Sequence, residues 1–208
     1  MREIVRAYLV KSPGVVLVVD DKERAPRYEG QCRRDRADLE ANPIPAGYPL
    51  RTIVFRGDMH NAIDADAEDV AALAWDFARL GRPTLVVHDE LNRPELAKNM
   101  QFRSGIKWVP ASFAKGRAVG VGNLWGSQSP QDAPIAVFEQ TTAILCFKLD
   151  GMGLAKLKQR GYLDGSDVEN VIRSLHAMDS PPDQRGDFVI LQRGQRWTGK
   201  VYKFAVTR

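Results

Sequence analysis

"RPTLVVHDELNRPE", residues 82–95, is the stretch on which the fold turns. An Arg-Pro turn leads into the apolar run Leu85-Val86-Val87, which ends in two adjacent carboxylates, Asp89 and Glu90. A run this apolar reads as a strand buried on both faces, as in a parallel sheet covered by helices, and its polar end marks the rim. One acid at a strand end can hold a Mg²⁺-bound water, and a second beside it can polarise an attacking water. The same pair also arises when the first acid caps a turn and the second is merely solvated. It therefore carries function only in the company of other motifs.

Working outward, the rest of the chain supplies a sheet for that strand. "MREIVRAYLVK" (1–11) sets Ile4, Val5, Tyr8 and Leu9 at helical spacing. "SPG" breaks this helix, and "VVLVVDDK" follows as a second buried strand. Residues 23–50 have no sustained period and read as a long surface excursion with a short helix near Arg36–Leu39. "RTIVFRGD" (51–58) is a strand. A helix capped by Asp64 or Asp66 runs through Leu80, with Val70, Leu73, Phe77 and Leu80 on one face. A short helix near 111–116 precedes a strand within 118–130. "PIAVFEQ" is helical with Pro134 in its first turn, and "TAILCFKL" (142–149) is a strand. Two helices, "GLAKLKQRG" and "DVENVIRSL", and a terminal hairpin complete the chain. Alternating strands and helices imply an α/β fold, mainly parallel and covered on both faces, with an antiparallel C-terminal hairpin. No repeat and no domain boundary stand out, so residues 1–208 are expected to form a single domain.

Composition excludes several classes. The 208 residues are 44% hydrophobic and 27% charged, enough for a substantial core. No apolar stretch approaches the roughly 20 residues of a membrane span, and "MREIVR" does not begin a signal peptide. Cys32 and Cys146 stand far apart, and the three histidines make no zinc pattern. The net charge of +4 permits contact with nucleic acid without arguing for it. These features fit a cytoplasmic protein.

Two further motifs need weighing. "GQRWTGKV" (194–201) nearly matches the phosphate loop G-x-x-x-x-G-K-[ST], but Val201 stands where the Mg²⁺-binding hydroxyl belongs. "VYKFAV" then alternates like a strand, so no helix N-terminus follows to receive phosphate, and the segment reads as a hairpin turn. "GRAVGVGNLWGSQSPQDAP" (116–134) is the most specific stretch, with Gln128 at a strand tip and Arg117 just before the strand. Gln128 at that tip could sense a γ-phosphate held alongside. A plain strand followed by a Ser/Pro/Gln turn is the simpler alternative.

Taken together, "VVLVVDDK", "TLVVHDEL", "KGRAVGVGNLWGSQSPQDAP" and "TAILCFKL" resemble the FtsK/HerA superfamily of DNA-pumping ATPases, in order and spacing over about residues 1–192. The resemblance implies a RecA-like P-loop NTPase sheet that binds ATP and Mg²⁺, works as a homo-oligomeric ring and translocates DNA. It implies that Asp89 positions Mg²⁺ through water and that Glu90 activates the attacking water. It makes Gln128 the γ-phosphate sensor and Arg117 the finger offered to a neighbouring subunit. Asp20-Asp21-Lys22 match the Asp-x-Lys that ends the family's second strand. Lys98, Arg103 and Lys107 are candidates for contact with DNA backbone phosphates. A packaging ATPase would act within an infected cell or virion.

The departure is equally definite. On this alignment residues 1–11 are the helix that follows the phosphate loop, so the loop and its strand are expected upstream of Met1. Two other readings stay open: a nucleotide-free relative acting as an assembly module, and a P-loop motor of secretion or pilus type.

Overall fold

The computed structural model describes residues 2–20, 30–44, 51–56, 67–88, 108–127, 133, 135–176 and 186–203. These fall into two compact units, 1–128 and 129–208. The first is built on a five-stranded parallel sheet: β1 (Val15–Val19), β2 (Gln31–Arg33), β3 (Thr52–Phe55), β4 (Thr84–His88) and β5 (Val121–Trp125), in the order β2-β3-β1-β4-β5. The central strand β1 is fully buried over Val16–Val18, as a β-branched run between two helical layers must be.

Both faces are covered. Helix α1 (Arg2–Lys11) lays Val5, Tyr8 and Leu9 on Val16, Val18, Val54 and Val87, with Leu85 and Leu124 alongside. The Arg51 guanidinium donates to the carbonyls of Leu9, Ser12 and Gly14, satisfying the orphan acceptors where α1 ends. Helix α3 (Ala67–Arg79) and helix α4 (Trp108–Val119) pack side by side, and α3 lies against β1, β4 and β5. A short α2 (Arg36–Ala41) is capped by Asp35, whose carboxylate accepts from the Asp38 N–H at 2.7 Å.

The second unit holds α5 (Ile135–Gln140), α6 (Gly151–Gln159) and α7 (Ser166–Ser174) with a three-stranded antiparallel sheet. Its strands are β6 (Ala143–Cys146), β7 (Asp187–Gln192) and β8 (Val201–Lys203), in that order. Phe138, Leu154, Leu157, Ile172 and Leu191 fill its core. The Tyr162 hydroxyl lies 2.8 Å from the Phe138 carbonyl and 2.9 Å from that of Thr141, which ties the turn after α6 to the end of α5.

The α/β class, mainly parallel with an antiparallel C-terminal part, is as the sequence implied. The decoy phosphate loop is a connection between antiparallel strands, since Val189 pairs with Val201. Three details differ. Residues 31–33 form an edge strand inside the expected excursion, because three residues are too few for a periodic signal. Helix α4 is longer than the expected 111–116, for its Trp108-Val109-Pro110 start carries no periodic apolar signal. Leu80 lies beyond the end of α3 and is 75% exposed, so it does not share the buried face with Val70 and Leu73. Asp64, Asp66 and Pro134 lie outside the described residues.

Candidate functional site

Parallel strands bring all their carboxyl ends to one rim. Here the register sets Phe55, Val19, His88 and Trp125 side by side as the last residues of β3, β1, β4 and β5. Ligands of open α/β sheets bind beyond such a row. Its backbone is continued by one more rung: the N–H of Asp20 donates to Phe55 O at 3.0 Å, and that of Gly126 to His88 O at 3.0 Å.

Asp20, directly after β1, is 2% exposed, and its carboxylate lies 3.5 Å from the Arg56 guanidinium that follows β3. A buried carboxylate is costly unless a partner stands beside it, and the Arg56 guanidinium is placed as one here. Arg56 Nε and Nη2 are buried without a hydrogen-bond partner, so the contact with Asp20 is one of charge. Asp20 was legible from the sequence as a strand-end acid. Arg56 was not, although it stands in the same position after its own apolar run.

His88 is the second residue that sequence reasoning passed over. It is 1% exposed and stacks on Phe113 of α4, with ring centroids 5.8 Å apart. Burial pushes its imidazole down to about 4, so it is neutral at physiological pH. Neither ring nitrogen completes a hydrogen bond, though the nearby Asn123 amide opposes part of the shift. Asp89 and Glu90 follow His88 directly in sequence and lie outside the described residues, as do Asp21, Lys22, Lys98, Arg103, Lys107 and Gln128. The structure therefore describes the strand that leads to the carboxylate pair, and the strand and Ser127 that lead to Gln128.

Arg117 is described, and its position is informative. Helix α4 runs back along the sheet and returns to β5 through Gly120, which has φ +89° and ends the helix where another residue would be strained. Arg117, in the last turn, is exposed at the amino end of the strands. The five residues of β5, spanning roughly 16 Å, separate it from the row that ends in Trp125. An arginine side chain does not cover that distance, so Arg117 cannot serve the strand ends of its own chain.

Three contacts hold α4 there. The Glu68 carboxylate of α3 accepts the N–H groups of Trp108 and Val109, both at 2.8 Å, and so caps the start of α4 from another helix. The Ser112 hydroxyl lies 3.2 Å from Asn123 Oδ1 in β5. Gly116 packs so closely that a Cβ there would stand 2.8 Å from the Val121 carbonyl oxygen.

Among the described residues no group of three acidic, histidine or cysteine side chains is placed to hold a metal ion. None of their helices is long and apolar enough to cross a membrane. A shallow pocket of about 220 Å³ in the second unit, lined by Phe138, Glu139, Gln159, Arg160, Gly161 and Arg193, contains none of the residues singled out from the sequence.

No protein-family model matches the sequence, and no curated protein matches it. Solved structures do. The genome packaging NTPase B204 from Sulfolobus turreted icosahedral virus 2, in complex with AMPPCP, is similar with a TM-score of 0.64 at 12% identity, covering 98% of this chain and 89% of that one. Its sulfate complex gives 0.61 at 15% identity, with 98% and 92% covered. The DNA-packaging ATPase B204 from Sulfolobus turreted icosahedral virus gives 0.58 at 14% identity, with 96% and 87% covered. At these identities the likeness is one of fold: the chain has the P-loop NTPase fold of these proteins.

Proposed function

We propose that this chain is the core of an ATP-driven DNA motor of the genome-packaging, FtsK/HerA type. The observation that carries the reading is the strand-end row. Buried Asp20, the approach to Asp89–Glu90 and the approach to Gln128 leave three adjacent parallel strands at one rim. In that frame Asp89 holds Mg²⁺ through water, Glu90 orients the attacking water, and Gln128 senses the γ-phosphate. Arg117, out of reach of its own rim, stabilises the transition state in a neighbouring subunit. Lys98, Arg103 and Lys107 contact DNA phosphates in this reading.

The chain's own residues do not make a phosphate cradle, because the sequence contains no G-x-x-x-x-G-K-[ST]. The sheet suggests where one docks. Among the described residues nothing pairs with the outer edge of β5, which carries five uncharged residues, Val-Gly-Asn-Leu-Trp. The opposite edge, β2, is protected by being three residues long and by Arg33. Both sides of β1 are taken by β3 and β4, and α1 leans over Leu85 and Leu124 towards β5. A strand joined to α1 by a right-handed crossover would reach the β5 edge. It also puts the N-terminus of α1 at the carboxyl rim, where backbone N–H groups receive phosphate.

Calorimetry with ATP and Mg²⁺ tests this directly. The 208 residues alone are expected to bind no ATP. The chain extended in frame by a strand and phosphate loop is expected to bind it at micromolar concentration and to show DNA-stimulated hydrolysis that weakens steeply with salt. Micromolar binding by the 208 residues alone would overturn the docking of the loop at β5. An extended chain that binds ATP without responding to DNA would favour a motor with another cargo.

A further inference from the structure

We propose that the β7–β8 hairpin, with the pocket at its base, is a seat for phosphodiester groups of a nucleic-acid backbone. The proposal rests on the motor reading above for its ligand. It adds a surface in the second unit that none of the roles given so far uses.

The positive charge of the chain is concentrated there. Residues 188–208 carry five cations and no acid, while the whole chain carries +4, so the 187 residues before them sum to one negative charge. Lys203 is engaged, 3.9 Å from the Asp187 carboxylate. Arg193, Arg196 and Lys200 are exposed between the two strands, and among the described residues their side chains make no ion pair or hydrogen bond. Three unpaired cations within residues 193–200 repel one another and attract a polyanion.

Exposed cations alone make only a solvated surface, but the pocket at the hairpin's base is built. Arg160 follows α6, and Gly161, at φ +76°, turns the chain so that its carbonyl accepts the Gly194 N–H at 3.1 Å. A Cβ on Gly161 would stand 3.9 Å from Arg193 Cγ. The resulting cavity, about 220 Å³, is lined by both arginines together with Gln159 and Glu139. Arg160 is half-buried, and its Nε is shut off from water without an acceptor. A buried N–H on a charged group is costly when unpaired, and an oxyanion in the cavity supplies the missing acceptor. Glu139 shares the cavity without pairing with either arginine, so the lining sums to one positive charge. That balance suits a phosphodiester, which carries one negative charge, over a phosphate monoester, which carries nearly two at neutral pH. Arg196 and Lys200, farther along the hairpin, are left for neighbouring phosphates of the same backbone.

The test is fluorescence anisotropy of a labelled DNA duplex titrated with the 208-residue chain across a salt series. The parent is expected to bind with an affinity that falls steeply as salt rises. Arg196→Gln/Lys200→Gln, on exposed side chains, should lower the slope of log affinity against log salt by about 2, one for each phosphate contact removed. Arg160→Gln/Arg193→Gln should do the same. A thermal melt checks that it is folded, and Arg193→Gln alone stands in for it if it is not. Lys11→Gln/Lys115→Gln removes as much charge from exposed positions in the first unit and should keep the parent slope. Inorganic phosphate, added at constant ionic strength, is expected to displace the duplex no better than chloride does. A parent that does not bind the duplex overturns the proposal, and so do hairpin variants that keep the parent slope or a control that loses as much. Saturable displacement by inorganic phosphate, abolished in Arg160→Gln/Arg193→Gln, overturns it in favour of a free-phosphate site. Polyglutamate that competes as well as unlabelled duplex overturns it in favour of an acidic protein partner. No readout here needs ATP, so failure to bind nucleotide sinks the motor reading while the comparison of variants still decides this surface.

Discussion

The two ends of the same strands differ in what they bury. At the carboxyl end the polar side chains are buried: Asp20 is 2% exposed and His88 1%. At the amino end the apolar and cationic side chains are out in solvent, with Leu80 75% exposed and Arg82 and Arg117 beside it. The inversion follows from topology. In a parallel sheet every strand finishes at one rim and every covering helix at the other, so buried acids collect at the first and helix-end residues at the second. The strand-end row and Arg117 are therefore separated by one strand length within this chain.

The sharpest test of that separation is Arg117→Ala in the ATP-binding form. Turnover is expected to fall by about 10³–10⁵-fold with nucleotide affinity nearly unchanged, because an arginine supplied across an interface acts on the transition state. An equal loss of affinity, measured by calorimetry, would mean that the residue acts within its own subunit. Glu90→Gln, at the other end, should cost about 10²–10⁴-fold in rate while ATP still binds. Mixing the two variants sets the ends against each other. A hybrid interface with an intact Arg117 facing an intact Glu90 should recover activity that neither variant shows alone. No recovery at any mixing ratio, with rings confirmed, would leave Arg117 a structural residue.

A smaller effect tests the burial of the carboxyl end. The His88 imidazole is pushed down to about 4 in the folded chain, against an ordinary value near 6.5. The unfolded chain therefore binds a proton first as pH falls. Stability from this group is fully present above pH 6.5 and is lost as pH drops towards 4, amounting to about 2 kcal/mol by pH 5. Urea denaturation at pH 7 and pH 5 should show that loss, and His88→Leu should remove its share of it. An unchanged slope in the variant would mean that the ring is hydrated.

The smallest effect concerns how α4 delivers Arg117. Gly116→Ala drives a Cβ to 2.8 Å from the Val121 carbonyl, a backbone atom that cannot swing away, and should cost about 1–3 kcal/mol. Gly122→Ala is the matched control on β5, because its Cβ would meet only Leu85 Cδ1 at 3.5 Å, an ordinary contact. Equal melting temperatures for the two variants would show that the helix yields easily and that Gly116 does not set the position of Arg117.

Much of this architecture could be read from local pattern. Continuous apolar runs such as Val15–Val19 and Leu85–Val87 mark strands buried on both faces, and their polar successors mark the rim. What escaped the pattern was short or out of period. Residues 31–33 are a strand only because β3 offers them a ladder. Leu80 continues the helical spacing of Val70 and Leu73 yet falls past the end of the helix, where Gly81, at φ +74°, has already turned the chain. His88 and Arg56 gave no signal because each is polar at a position whose burial depends on the neighbouring strand.

The sequence by itself determined the alternation of elements, the strand-end acids and the mismatch of residues 194–201 to a phosphate loop, since each is written in consecutive residues. Only the tertiary structure decided the strand order, the open edge of β5, the buried pairing of Asp20 with Arg56 and the exile of Arg117 to the opposite rim. Those depend on which strand lies beside which, and no local period encodes a neighbour that is forty residues away.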